Sequence, residues 1–222
     1  MNTKTEFKKS MNDPVCTFIS DEDTVLIEEA VRAAEKRTAG EIVVMVVASS
    51  DNYPLANILG GLVSGFLLSI SISLATDMQS MWNFLGFFLP SFVLCNEIIR
   101  RNLFLKRLFV TASDMCEEVE NAAFGAFYKK GVWNTREHTG ILIFISLFEH
   151  RVWVLGDKGI NAKVDPSVWQ EITDGIVAGI REKSHVSALC DAIGRCGDIL
   201  EGHFPPGRDN PDELDNSVIR GH

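Results

Sequence analysis

The residues best suited to chemistry lie in a few short runs. Gly156-Asp157-Lys158-Gly159 places a carboxylate just past a predicted strand, and strand ends in α/β sheets commonly carry ligand groups. Asp51 follows an earlier predicted strand. Asp51 and Asp157 together would make a small acidic cleft fit for a divalent cation held by oxygen ligands. Asp157 equally suits an Asx-type turn, where its side chain caps nearby backbone. Arg136-Glu137-His138 precedes another strand. There Arg136 offers a forked guanidinium to a phosphate or carboxylate, although a solvated loop with local ion pairs accounts for the same residues. The catalytic candidates are therefore Asp157, Arg136 and Glu137, and the metal candidates are Asp51 and Asp157. Glu149-His150 pairs an acid with a base, but neighbours in a tight turn point apart. His185 and His203 stand alone.

Other chemistries find no support in the spacing. No Cys/His pattern suits zinc. No glycine-rich loop matches a phosphate or dinucleotide fingerprint, since Gly60, Gly61 and Gly65 fall inside an apolar run. No Gly-x-Ser-x-Gly elbow is present. Trp133, Trp153 and Trp169 suit core or rim packing. The net charge of −9 argues against nucleic acid, because phosphate binding needs a basic face.

The elements that must position these residues include an unusual insert. Between Arg37 and Arg100 there is no Lys or Arg. Leu55–Thr76 and Met78–Asn96 are uncharged, and each approaches the length that carries an α-helix across a bilayer, roughly 20 residues. Only Asp77 and its neighbours separate them, so the two helices must run antiparallel. Gly61 and Gly65 form a GxxxG pair that admits a close partner helix. Trp82 suits an interface, and Pro90 would kink the second helix. Arg100, Arg101, Lys106 and Arg107 follow the second span, which marks that side as cytoplasmic and puts both termini inside. Phe104, Leu105, Leu108 and Phe109 interleave with Lys106 and Arg107, as in a helix leaving along the bilayer surface. The five cysteines (16, 95, 116, 190 and 196) form no CxxC pair, which fits a reducing compartment. No secretory signal precedes the first span.

The remaining chain alternates strand and helix signals. Ser20-Asp-Glu-Asp23 reads as a capping box, with Val25, Leu26, Ala30, Val31 and Ala34 at helical spacing up to Gly40. Glu41–Val47 is a β-branched run suited to a strand buried on both faces. Ser113 or Asp114 would cap a helix with Met115, Val119, Ala122, Ala123, Ala126 and Phe127 on one side. Thr139–Leu147 and Arg151–Leu155 read as a β-hairpin. Asp165-Pro166 opens a further helix, and a last one runs from about Val186 to Gly202. The proline-rich, acidic end is expected to lack regular structure. This pattern predicts an α/β sandwich with helices on both sheet faces.

Ala39–Val44, Thr139–Ser146 and Glu149–Ile160 together resemble the TPM domain, and the helix from Ala188 onward fits as well. The resemblance spans roughly residues 20–204, with the membrane hairpin as an insert. It implies a TPM-like α/β/α sandwich. Relatives of that kind include a thylakoid-lumen acid phosphatase linked to photosystem II repair and bacterial envelope proteins. The resemblance thus implies either phosphatase activity or binding of a divalent cation such as calcium. The chain departs from these relatives in having no export signal and no Gly/Ser-rich tail.

The expected organisation is a polar segment at 1–19, the first part of the domain at 20–54, a transmembrane hairpin at 55–99 (spans near 55–76 and 78–98), the second part at 100–204 and a flexible acidic tail at 205–222. The expected role is an accessory or interaction module at the cytoplasmic face of the inner membrane. Its expected partners are the lipid bilayer and a protein, with no nucleic acid.

Overall fold

The computed structural model describes residues 13–77, 80–206 and 213–221. It divides into two compact units. One joins Met1–Ser50 to Glu118–His222, and the other is Asp51–Glu117.

The first unit is built on a four-stranded mixed sheet in the order β3-β2-β1-β4. Its strands are β1 (Glu41–Val47), β2 (Gly140–Ser146), β3 (Arg151–Gly156) and β4 (Ile219–Gly221). β1 pairs in parallel with β2, Glu41 opposite Gly140 through Val47 opposite Ser146. β2 and β3 form the antiparallel hairpin expected from the sequence. Strand residues alternate between faces. Ile42, Val44 and Val46 join Ile141, Ile143 and Ile145 in one buried cluster, and Val43 and Val47 join Leu142 and Phe144 in another. Both faces of β1 and β2 are therefore dry, which is why these strands read as unbroken apolar runs.

Helices cover both faces. On the first lie α1 (Pro14–Phe18), α2 (Asp21–Glu35), α8 (Pro166–Arg181) and α9 (His185–His203), which bury Ile27, Val31, Trp169, Ile172, Ile176, Leu189 and Ile193. On the second lies α6 (Ala112–Lys129), through Val119, Ala123, Ala126 and Phe127. Burying an Ile or Leu side chain contributes on the order of 2 kcal/mol before the entropy of ordering is counted. The predicted capping box is present. Ser20 Oγ accepts the Asp23 N–H at 3.1 Å, and Asp23 accepts the Ser20 N–H at 3.0 Å. The Ser20 hydroxyl and then the Ser20 N–H hold Asp23 below its usual pKa. Asp165 caps α8 through the Ser167 N–H at 2.8 Å, with Pro166 at the first position.

The second unit is a helical hairpin of α3 (Pro54–Ala75) and α4 (Met81–Arg101), followed by the short α5 (Leu103–Arg107). Glycine lets its helices touch. A Cβ on Gly65 would sit 2.8 Å from the Phe92 Cα, and one on Gly61 would sit 2.9 Å from the Asn96 Cβ. Hydroxyls on α3 bond back to their own helix, as Ser69 Oγ does to the Gly65 carbonyl at 2.7 Å. Both long helices are long and apolar enough to cross a membrane. Only 22% and 11% of their apolar windows are buried.

Three features differ from the sequence expectation. The stretch expected to be polar at 1–19 contains α1, whose Val15 is fully buried, as is the following Ile19; residues 1–12 lie outside the described residues. The tail expected to be flexible ends in β4, which pairs in parallel with β1. Val218 N–H donates to Glu28 at 3.2 Å, and Arg220 donates to Asp21 at 2.9 Å, so distant charges anchor it; residues 207–212 are again outside the described residues. Finally, the cap of α6 is Thr111, whose Oγ1 accepts the Asp114 N–H at 3.1 Å, rather than Ser113 or Asp114.

Candidate functional site

The chemistry-bearing residues gather where the amino ends of β1 and β2 meet the carboxyl end of β3. Asp157 leaves β3 with its N–H donating to the Gly140 carbonyl at 2.9 Å. Its side chain is buried and caps α7 (Lys158–Asn161), with Oδ1 accepting the Lys158 N–H at 2.6 Å. The other oxygen, Oδ2, lies 3.2 Å from Nδ1 of His138. The same Nδ1 is 3.2 Å from the Trp133 carbonyl. Both neighbours are acceptors, so Nδ1 carries the hydrogen, and the neutral ring then has Nε2 as its acceptor. His138 holds a left-handed backbone, φ 55°, a strained state for a non-glycine residue. Gly159 makes this possible, because a Cβ there would lie 2.6 Å from the His138 carbonyl oxygen.

This Asp–His pair was legible only in part. The loop marks Asp157 and the turn-like cap is present, but nothing near it in sequence pairs it with His138. Arg136 points to a different acid. Its N–H donates to Glu213 at 3.1 Å, and its Nε lies 3.9 Å from the same carboxylate. Glu137 is exposed on the loop between them. Glu41 is buried close by and accepts the Glu213 N–H at 3.2 Å.

Asp51 belongs to the hairpin unit, where its carboxylate accepts the Tyr53 N–H at 2.6 Å and turns the chain into α3. Lys106 donates to the Asn52 carbonyl at 3.2 Å in the same unit; burial lowers its pKa, and the charge of Asp51 partly offsets this. Among the described residues no group of three His, Cys, Asp or Glu side chains is placed to hold a metal ion.

The opposite end of the parallel strands carries a second polar cluster. Glu149, buried in the β2–β3 turn, accepts from Ser49 Oγ at 3.2 Å, from the Ser50 N–H at 3.0 Å and from Ser146 Oγ. Ser50 Oγ donates in turn to Ser146 Oγ at 3.0 Å. The arrangement joins two strand ends. His150 follows with φ 54° and turns the chain into β3.

A sheet of this order, covered by helices on both faces and carrying a capped strand-end carboxylate, defines a mixed α/β sandwich. Residues 106–199 match the model of the TPM domain. The fold is similar to that of the BA42 protein from the psychrophilic bacterium Bizionia argentinensis, solved by NMR. That likeness has a TM-score of 0.58 at 22% identity, and it covers 92% of this chain and 96% of that one. The chain therefore carries a region that matches the TPM domain on a fold like that of BA42, with an apolar helical hairpin following its first strand. No curated protein matches it.

Proposed function

We propose that the chain is a membrane-anchored accessory module, with the α3–α4 hairpin embedded in the inner membrane and the sandwich held at the cytoplasmic face to engage a protein partner. The outward surface of the hairpin carries this reading. Leu59, Phe66, Leu67 and Leu74 on α3, and Trp82, Leu89 and Val93 on α4, are all exposed, while the glycine side of α3 packs inward. Keeping that surface in water costs about 25 cal/mol per Å² of apolar area, and burial in lipid removes the cost. Arg100 and Arg101 at the end of α4 supply the cytoplasmic signal.

An alkaline carbonate wash of isolated membranes tests the anchoring. Retention in the pellet is the expected result, and release into the supernatant overturns it. Trypsin tests the side: cleavage at Lys183, exposed in the turn between α8 and α9, is expected in inverted vesicles and not from outside intact spheroplasts.

The His138–Asp157 pair favours a second reading, a phosphatase in which a carboxylate orients an imidazole for acid–base work. Turnover of a generic phosphomonoester, lost in both His138→Ala and Asp157→Ala, would replace the accessory reading with this one. Calcium binding that Asp157→Ala abolishes would favour a cation-binding domain instead.

A further inference from the structure

α6 presents two unlike sides. Ala123, Ala126 and Phe127 face the sheet, whereas Phe124 and Tyr128, one turn apart, stand in solvent at 43% and 63% exposure. The helix ends at Lys129, and the chain turns through Gly131, φ 75°, into Trp133, itself 43% exposed. The Trp133 indole N–H donates to the Tyr128 carbonyl at 3.2 Å, and the two rings lie 6.3 Å apart. The indole is thus held in place with its polar group satisfied and its ring partly exposed. Lys129 and Lys130 are exposed beside it. Glu117 and Glu120 lie one to two turns back and bound the patch on that side.

We propose that Phe124, Tyr128, Trp133, Lys129 and Lys130 form a docking patch for the anionic lipid surface of the membrane in which the hairpin is anchored. This rests on the membrane reading above. Two observations favour lipid as the occupant. The composition matches an interfacial site, since Trp and Tyr rings settle at the headgroup level and lysines pair with anionic headgroups. The patch also starts, at Phe124, only 23 residues beyond Arg101 in sequence, so tethering gives a high effective concentration and a weak patch suffices. The acidic remainder of the chain is repelled by the same leaflet, so a local pair of lysines sets which surface turns toward it.

Full-length protein labelled with 5-fluorotryptophan and reconstituted in nanodiscs tests this. Its four tryptophans give separate ¹⁹F resonances, and Trp133→Phe assigns the relevant one. Headgroup spin-labelled lipid in discs containing phosphatidylglycerol should broaden both Trp82, which reports the hairpin, and Trp133. A Lys129→Glu/Lys130→Glu double variant should lower the docked-to-free ratio at Trp133 on the order of 30-fold while leaving Trp82 broadened. Trp82 broadened with Trp133 sharp overturns the patch and leaves the anchor standing. Both sharp overturns the anchor, and the patch falls with it. A Trp133 shift that follows the number of chains per disc rather than lipid charge assigns the surface to a second copy and overturns the proposal.

Discussion

The Glu149 carboxylate accepts the backbone N–H of Ser50 at 3.0 Å although 99 residues separate them in sequence. That bond, with those from Ser49 and Ser146, fastens the β2–β3 turn to the chain leaving β1. Glu149→Ala would leave a part-buried N–H and two hydroxyls without their acceptor. The expected loss is about 2–4 kcal/mol, because unsatisfied buried donors cost more than the bonds were worth. Urea unfolding at neutral pH measures it, and a loss below about 1 kcal/mol would mean that water replaces the carboxylate freely.

Gly65 tests the hairpin. A side chain there meets the Phe92 backbone at 2.8 Å, and backbone has no rotamer by which to yield. Gly65→Leu should force α3 and α4 apart and cost about 1–3 kcal/mol. Gly86, which has nothing within 4 Å of a built Cβ, is the matched control on α4. Faster tryptic cleavage of reconstituted Gly65→Leu, with Gly86→Leu unchanged, is the expected readout.

Cys196 predicts an alkaline weakening of the sandwich. The thiol is fully buried, and burial pushes its pKa from 9.0 up to about 12. Below pH 9 the thiol is protonated in both states, so its contribution to stability is intact. Between about 9 and 12 the unfolded chain ionises while the folded one does not, and stability falls as pH rises. The full loss is on the order of 4 kcal/mol. Unfolding curves at pH 8 and pH 10.5 should separate wild type from Cys196→Ala, whose stability lacks this component of the slope. Parallel slopes would refute the assignment.

Arg220 governs the last strand. Its guanidinium reaches Asp21 at 2.9 Å, the Ser20 carbonyl at 3.2 Å and the Thr24 hydroxyl. Arg220→Ala should release β4 and cost about 1–2 kcal/mol locally. The Ala48 amide, which donates to the Gly221 carbonyl at 3.3 Å, then exchanges with deuterium roughly tenfold faster. Amides in the centre of β2 should keep their protection.

Features that rest on local physics were readable from the sequence. The Ser20–Asp23 box, the Asp165-Pro166 start, the β1 run and the β2–β3 hairpin each carry their cause within a few neighbouring residues. So did the GxxxG contact of the hairpin, since glycine spacing is itself the signal. What escaped depends on partners far away. β4 is three residues long, and only the open edge of β1 and the acids on α2 make it a strand. His138 reads as an ordinary loop residue until the β3 end brings Asp157 beside it. Glu149 is marked in the sequence only as an acid beside His150; its fastening role depends on Ser49 and Ser50, which follow the far end of β1.

The parallel pairing of Glu41 with Gly140 also fixes an order of events during synthesis. β1 leaves the ribosome without its neighbour, and both long apolar helices emerge before β2 exists. At about 5–20 residues per second, the intervening stretch of roughly 100 residues keeps β1 waiting on the order of 5–20 s. During that interval a strand of Ile, Val and Met lies open on both edges, and the sandwich closes only once β2 has emerged.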